Sequence, residues 1–184
     1  MDILFLCTAN QCRSAMAEAM LRTRLEARGV DAHVHSAGQL EGGHPMTEET
    51  QVALGKRGFD SLVHESRQMT PALIQGADIV LAMTRQHLRD AAVQRMPDWK
   101  YRVFTLKELV RRGQEVRPRA SGESLEDWLR KAGAGRTPQD LMGGGQLDDI
   151  PDPVSEPGII SFDDAAAVID DLIDRLVRLI WGSA

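Results

Sequence analysis

The feature that most constrains this chain is an apolar run with an abrupt ending. Residues Asp2 to Leu6 (DILFL) empty straight into CTANQCRS, Cys7 to Ser14, and apolar residues then recur at Met16, Met20, Leu21 and Leu25 until Gly29. A short, unbroken apolar run reads as a strand buried on both faces, and three- and four-residue steps read as a helix. The chain therefore opens as strand, tight loop, helix. The pattern recurs downstream: Val30–Ser36 alternates as a strand, Thr47–Gly58 is a helix opened by Thr47, and Asp78–Met83 (DIVLAM) is a second fully apolar strand. Arg102–Thr105 is a short strand between helices at Arg85–Arg95 and Leu106–Arg112.

Strands spaced by helices of this length need crossovers that travel back along the sheet, which makes the strands parallel and puts helices on both faces. The expected fold is a three-layer α/β/α domain with a central parallel sheet of about four strands and an anion-binding loop between the first strand and the first helix. Phe162, Ala166, Ile169, Leu172, Ile173, Leu176 and Ile180 form a helical stripe that closes one face. Residues 113–146, Gly113 to Gln146, are rich in Gly, Arg and Pro. They read as an insertion on a surface loop of a single domain spanning 1–184. Within it, Ser121–Ala132 forms a short helix anchored by Trp128 and Leu129, with GAG and GGG as joints.

Bulk properties narrow the function. At 184 residues and 42% hydrophobic the chain can bury one real core. A net charge of -5 gives no general basic field, so a nucleic-acid partner is not expected. Cys7 and Cys12 are the only cysteines, too few for a disulfide framework, which suits a reducing cytoplasm. No run approaches the ~20 apolar residues of a membrane span, so no membrane partner is expected.

A strand that turns tightly into a helix aims several backbone N–H groups at one point and so forms an anion site. A cysteine at the mouth of that site is favoured as the thiolate, the nucleophilic form. Arg13, six residues after Cys7, can fold back and hold two oxygens of a tetrahedral oxyanion in its fork.

The C-x5-R-S pattern of Cys7 to Ser14, placed after the first strand, resembles the low-molecular-weight protein tyrosine phosphatases. SAG at Ser36–Gly38, SRQMT at Ser66–Thr70, ADIVLAM at Ala77–Met83 and IPDP at Ile150–Pro153 are similar to family landmarks in family order. The resemblance covers nearly the whole chain outside the insertion. It implies a phosphatase that hydrolyses a protein phosphomonoester, above all phosphotyrosine, through a cysteinyl-phosphate. Cys7 would be the nucleophile and Arg13 the phosphate clamp. Asp152, on a loop stiffened by Pro153, would give the leaving oxygen its proton and then take one from water.

By the same resemblance Thr8, Ala9, Asn10, Gln11, Cys12 and Ser14 wrap the phosphate. Asn10 holds the loop in a strained shape, Ser14 donates to the Cys7 sulfur, and Cys12 can form a disulfide with Cys7 that keeps oxidation reversible. The implied partners are a phosphorylated protein and inorganic phosphate or sulfate in the loop. No cofactor is needed, and no metal-ligand cluster is visible. Asp148 and Asp149 compete with Asp152 for the acid role, and His44, His64 and His87 read as surface or hydrogen-bonding residues.

The chain departs from the family's usual aromatic walls. Val154 follows Pro153 where Tyr is common, and Gln39–Pro45 holds no Trp. A protein-arginine phosphatase of the same family is therefore an alternative, with Thr84 pointing that way and Gln11 to neither side. An arsenate reductase using an external thiol and a non-catalytic phosphate-binding regulator complete the alternatives.

Overall fold

β1, Asp2–Cys7, is buried from Ile3 onward. The computed structural model describes residues 1–60, 64–94, 97–142 and 147–182. β1 pairs in parallel with β2 (His33–Gly38) on one side and β3 (Ile79–Ala82) on the other, and β3 pairs in parallel with β4 (Val103–Thr105). The order β2-β1-β3-β4 means that the chain leaves β1 toward one side and later returns to the other. The crevice at such a switch point, outside the carboxyl ends of the strands, is where an open parallel sheet offers a binding site.

Alternation along β1 feeds two cores. Ile3 and Phe5 pack with α1 (Arg13–Glu26), α6 (Leu106–Val116) and α9 (Phe162–Trp181), whereas Leu4 and Leu6 pack with α3 (Pro71–Gly76) and α4 (Arg85–Gln94). Each of these fully buried β1 side chains contributes roughly 1.5–3 kcal/mol relative to exposure. The result is a four-stranded parallel sheet between two helical layers, as the strand–helix alternation predicts.

Boundaries shift for local reasons. β2 begins at His33 instead of Val30, because Gly29 takes φ +63° and Val30 N–H closes the end of α1 on Leu25 O. Thr47 caps α2 (Glu48–Gly55) by accepting the Thr50 N–H. Arg95, the last residue of the helix expected over Arg85–Arg95, lies outside the described residues. Three short helices among the described residues escape periodicity: α3, capped by Thr70, α5 (Trp99–Arg102) and α8 (Pro138–Met142).

Residues 113–142 pack more deeply than a loop laid on the surface. α6 runs on through Gly113, where a Cβ would meet the Trp128 ring at 2.9 Å; the glycine reads as a breaker but provides room for an indole. Trp128, on α7 (Leu125–Ala132), is buried, and its Nε1–H donates to Arg117 O at 2.9 Å. Arg136 is also buried. It donates to Lys100 O, Val103 O and Glu108 Oε2, and its guanidinium covers the rings of Trp99 and Phe104 at 4.7 and 4.3 Å. Burial pushes Arg136 down to about 10, and the Glu108 carboxylate opposes that fall. α8 (Pro138–Met142) follows, and Gly143–Gln146, including the GGG joint, lies outside the described residues. Among the described residues no helix is long and apolar enough to cross a membrane.

Candidate active site

β1 ends at Cys7 and α1 starts at Arg13, so the loop between them sits at the switch point. The first turn of α1 has no side-chain cap: Cys12 occupies the N-cap position and makes no capping hydrogen bond, whereas Thr47, Thr105, Ser124 and Ser161 cap α2, α6, α7 and α9. An uncapped N-terminus leaves its N–H groups for an anion.

Asn10 shapes the loop. It adopts φ +57°, the left-handed region that a non-glycine residue enters only when its surroundings fix it. Its N–H donates to Cys7 Sγ at 3.2 Å, and its Nδ2 donates to Ser14 Oγ at 2.9 Å and Ser36 Oγ at 2.6 Å. Its Oδ1 accepts the Arg67 N–H at 2.9 Å, and its carbonyl lies 2.6 Å from His64 Nε2. Because Ser14 Oγ accepts from Asn10, its own hydrogen is free for Cys7 Sγ, 2.9 Å away. Two donors thus converge on the sulfur. Gly38, at the end of β2, lets the loop lie against the sheet, since a Cβ there would stand 2.7 Å from Thr8 O and 2.8 Å from Asn10 N.

Arg13 is buried and reaches across to the loop after residue 147. Its Nη1 donates to Ile150 O at 3.0 Å, and its Nη2 donates to Asp152 Oδ2 at 2.6 Å and Thr8 Oγ1 at 3.3 Å. Its Nε is buried with no hydrogen-bond partner among the described residues. Asp152 Oδ1 accepts the Val154 N–H while Oδ2 accepts from Arg13, so the carboxylate is held from both sides, and the Asp152 backbone N–H donates to Glu156.

Behind Thr8, His87 stands with Nε2 3.1 Å from Thr8 Oγ1 and Nδ1 2.8 Å from Thr84 Oγ1. Burial, assisted by the positive charge of Arg13, pushes His87 down to about 3 and keeps the ring neutral. Burial also pushes the Cys12 thiol up to about 12, a rise that a hydrogen bond with Thr50 only partly opposes, so Cys12 stays protonated at neutral pH.

Cys7, Arg13 and Asp152 line one cavity of about 250 Å³ together with Thr8, Gln11 and Cys12. Its outer walls include Leu40 and Val154, both more than half exposed. A family model described as low molecular weight phosphotyrosine protein phosphatase matches residues 2–117, more than half of the chain.

The chain belongs to that family.

Over 110 residues this phosphatase is 40% identical to a protein-arginine-phosphatase of Bacillus subtilis (strain 168), a match covering 60% of this chain and 73% of the relative. Over 112 residues it is 36% identical to the low molecular weight protein-tyrosine-phosphatase PtpA of Staphylococcus aureus (strain Newman), covering 58% and 70%. The crystal structure of a low molecular weight protein tyrosine phosphatase from T. tengcongensis superposes with a TM-score of 0.68 at 29% identity, over 97% of this chain and 98% of that one.

The phosphatase gathers Cys7, Thr8, Ala9, Gln11, Cys12, Arg13 and Asp152 around one cavity, and Asn10 and Ser14 bind the sulfur from behind. Asp148 and Asp149 are engaged elsewhere. Asp148 pairs with Arg111 at 2.9 Å and Arg85 at 3.2 Å, and Asp149 accepts the Arg85 N–H at 2.7 Å. Sequence reading missed Ser36, Arg67 and Glu18, which accepts from Ser36 Oγ at 2.6 Å, because their roles depend on contacts across distant segments. It reads His64 and His87 as surface or hydrogen-bonding residues without placing either behind the loop.

Proposed function

We propose that this phosphatase hydrolyses a phosphomonoester on a protein, with phosphotyrosine as the leading substrate, through a cysteinyl-phosphate on Cys7. The observation that carries the reading is the meeting of Cys7, Arg13 and Asp152 on one small cavity, with Arg13 Nη2 2.6 Å from the Asp152 carboxylate. The Cys7 thiolate attacks phosphorus. Arg13 and the N–H groups of the loop bear the charge that grows on the equatorial oxygens, the kind of preorganised stabilisation that dominates many enzymes. The phosphate shares the Arg13 fork with Asp152, which brings the carboxyl beside the departing oxygen. Asp152 gives that oxygen its proton as the P–O bond breaks. Deprotonated, it then takes a proton from the water that attacks the cysteinyl-phosphate, releasing phosphate and restoring Cys7. A thiol nucleophile needs a reducing compartment, so we place the protein in the cytoplasm.

Phosphoarginine is a second reading, favoured by the aliphatic walls Leu40 and Val154 and by the relative from Bacillus subtilis. A slot without an aromatic ring offers a phenol no stacking partner and admits a guanidinium as readily. The deciding experiment measures kcat/KM on matched phosphotyrosine and phosphoarginine peptides, with p-nitrophenyl phosphate as reference and Cys7→Ser as control. Turnover that survives Cys7→Ser sinks the mechanism. A preference of more than about tenfold for phosphoarginine, some 1.4 kcal/mol in the transition state, sinks the leading substrate.

A further inference from the structure

The opposite ends of the same strands carry a second cluster of chemistry. Residues paired in register on parallel strands point to one face, as do residues two apart on one strand. Asp2 of β1 is in register with His33 of β2, and His35 follows two positions on. Their side chains therefore rise together at the amino ends of the strands, with the length of β1 between them and Cys7. Asp2 Oδ2 lies 2.7 Å from His33 Nδ1, and Asp2 Oδ1 lies 2.7 Å from His35 Nε2. The imidazoles stack with centroids 4.4 Å apart, and one donor atom from each residue falls within 4.8 Å of the others.

We propose that Asp2, His33 and His35 form a binding site for a divalent transition-metal ion of the zinc type. Two imidazole nitrogens and one carboxylate oxygen are borderline donors, a set that suits zinc, nickel or copper better than calcium or magnesium. Metal–ligand bonds of ~2.0–2.2 Å in a tetrahedron hold donors roughly 3.3 Å apart. The carboxylate–imidazole separations are 2.7 Å and all three donors lie within 4.8 Å of one another, so small side-chain shifts bring them to the ion. His35 is buried and His33 is exposed, so water can supply the fourth ligand from the His33 side.

The ion takes the place of the imidazole protons now shared with Asp2. On a neutral ring each proton moves to the other nitrogen: in His33 that nitrogen is on the solvent side, and in His35 it is Nδ1, which is buried with no partner among the described residues. A buried N–H without an acceptor keeps the affinity below that of a fully supported structural zinc site. The sequence reading, in which no metal cluster is visible, passes over HVH at His33–His35. Its third ligand lies more than thirty residues away and joins it only through strand register.

The test is calorimetric titration of zinc chloride into the full-length Cys7→Ser protein, which lacks the competing thiolate, and into the same protein carrying His33→Ala. The parent binds one equivalent, and at a zinc concentration 100-fold above Kd its Tm rises by roughly 5–10 °C. His33→Ala, at an exposed position, keeps the metal-free Tm and binds more than about tenfold more weakly, since even the loss of an outer partner costs that much. Cobalt in place of zinc gives tetrahedral visible bands in the wild-type protein without a sulfur charge-transfer band. Absence of binding, equal affinity in His33→Ala, or a sulfur band at the first equivalent each overturns the proposal.

Discussion

Acid unfolding of the wild-type protein and of His87→Gln isolates the energy of one buried imidazole. In the folded chain His87 is only 3% exposed, and burial beside Arg13 holds it at about 3. In the unfolded chain it titrates near ~6.5. Below that value the unfolded state binds a proton that the folded state refuses, so the contribution is harmless at neutral pH and becomes destabilising as pH falls through ~6.5 toward 3. At about pH 5 the unfolded ring is mostly protonated and the folded ring still neutral, which removes about 2 kcal/mol relative to about pH 7.5. Urea denaturation at both pH values gives the stability change for each protein. Every other titrating group is common to the two, so the wild-type protein should lose about 2 kcal/mol more than His87→Gln. Parallel losses, or an NMR titration of the His87 ring with a midpoint near 6.5, would refute the claim that the imidazole behind Thr8 is locked neutral.

Three further outcomes follow from the geometry. Asp152→Asn should slow hydrolysis of poor leaving groups such as phenyl phosphate by about 10²–10⁴-fold and of p-nitrophenyl phosphate far less, because only the former need the proton; equal losses in kcat would remove Asp152 from the acid role. Gly38→Ala drives a methyl group into Thr8 O and Asn10 N, so it should depress kcat strongly while circular dichroism stays close to native; an unchanged kcat would show that the loop tolerates the push. Trp128→Ala should cost about 3–5 kcal/mol in urea denaturation. A cost below about 1 kcal/mol would mean that α7 is a detachable appendage.

The sheet was legible because β1, β3 and β4 are short apolar runs, as parallel strands buried on both faces require, and β2 shows itself by alternation. The loop was legible because its parts are contiguous: Cys7, Arg13 and Ser14 are neighbours in sequence, and IPDP marks Asp152 by its proline. The support behind the loop was hidden. Nothing local in Ser36, His64 or Arg67 announces that all three converge on Asn10, since strand register and a turn create that meeting. Gly113 misled for a related reason: helix propensity counts a glycine as a cost, but packing of Trp128 reverses the sign. His33 and His35 carry no local mark, because a period of two in a strand reports burial and not which distant residue the register brings beside them.

Asn10 draws its partners from β1, α1, β2 and the segment before α3. The nucleophile's surroundings thus exist only once three stretches, Cys7–Ser14, the strand around Ser36 and the segment His64–Arg67, have docked. A chain with its helices and central strands formed but residues 64–67 undocked would look native by circular dichroism and turn over nothing. Recovery of activity during refolding should therefore lag recovery of helical signal, and this makes the enzyme a clock for its own last folding step.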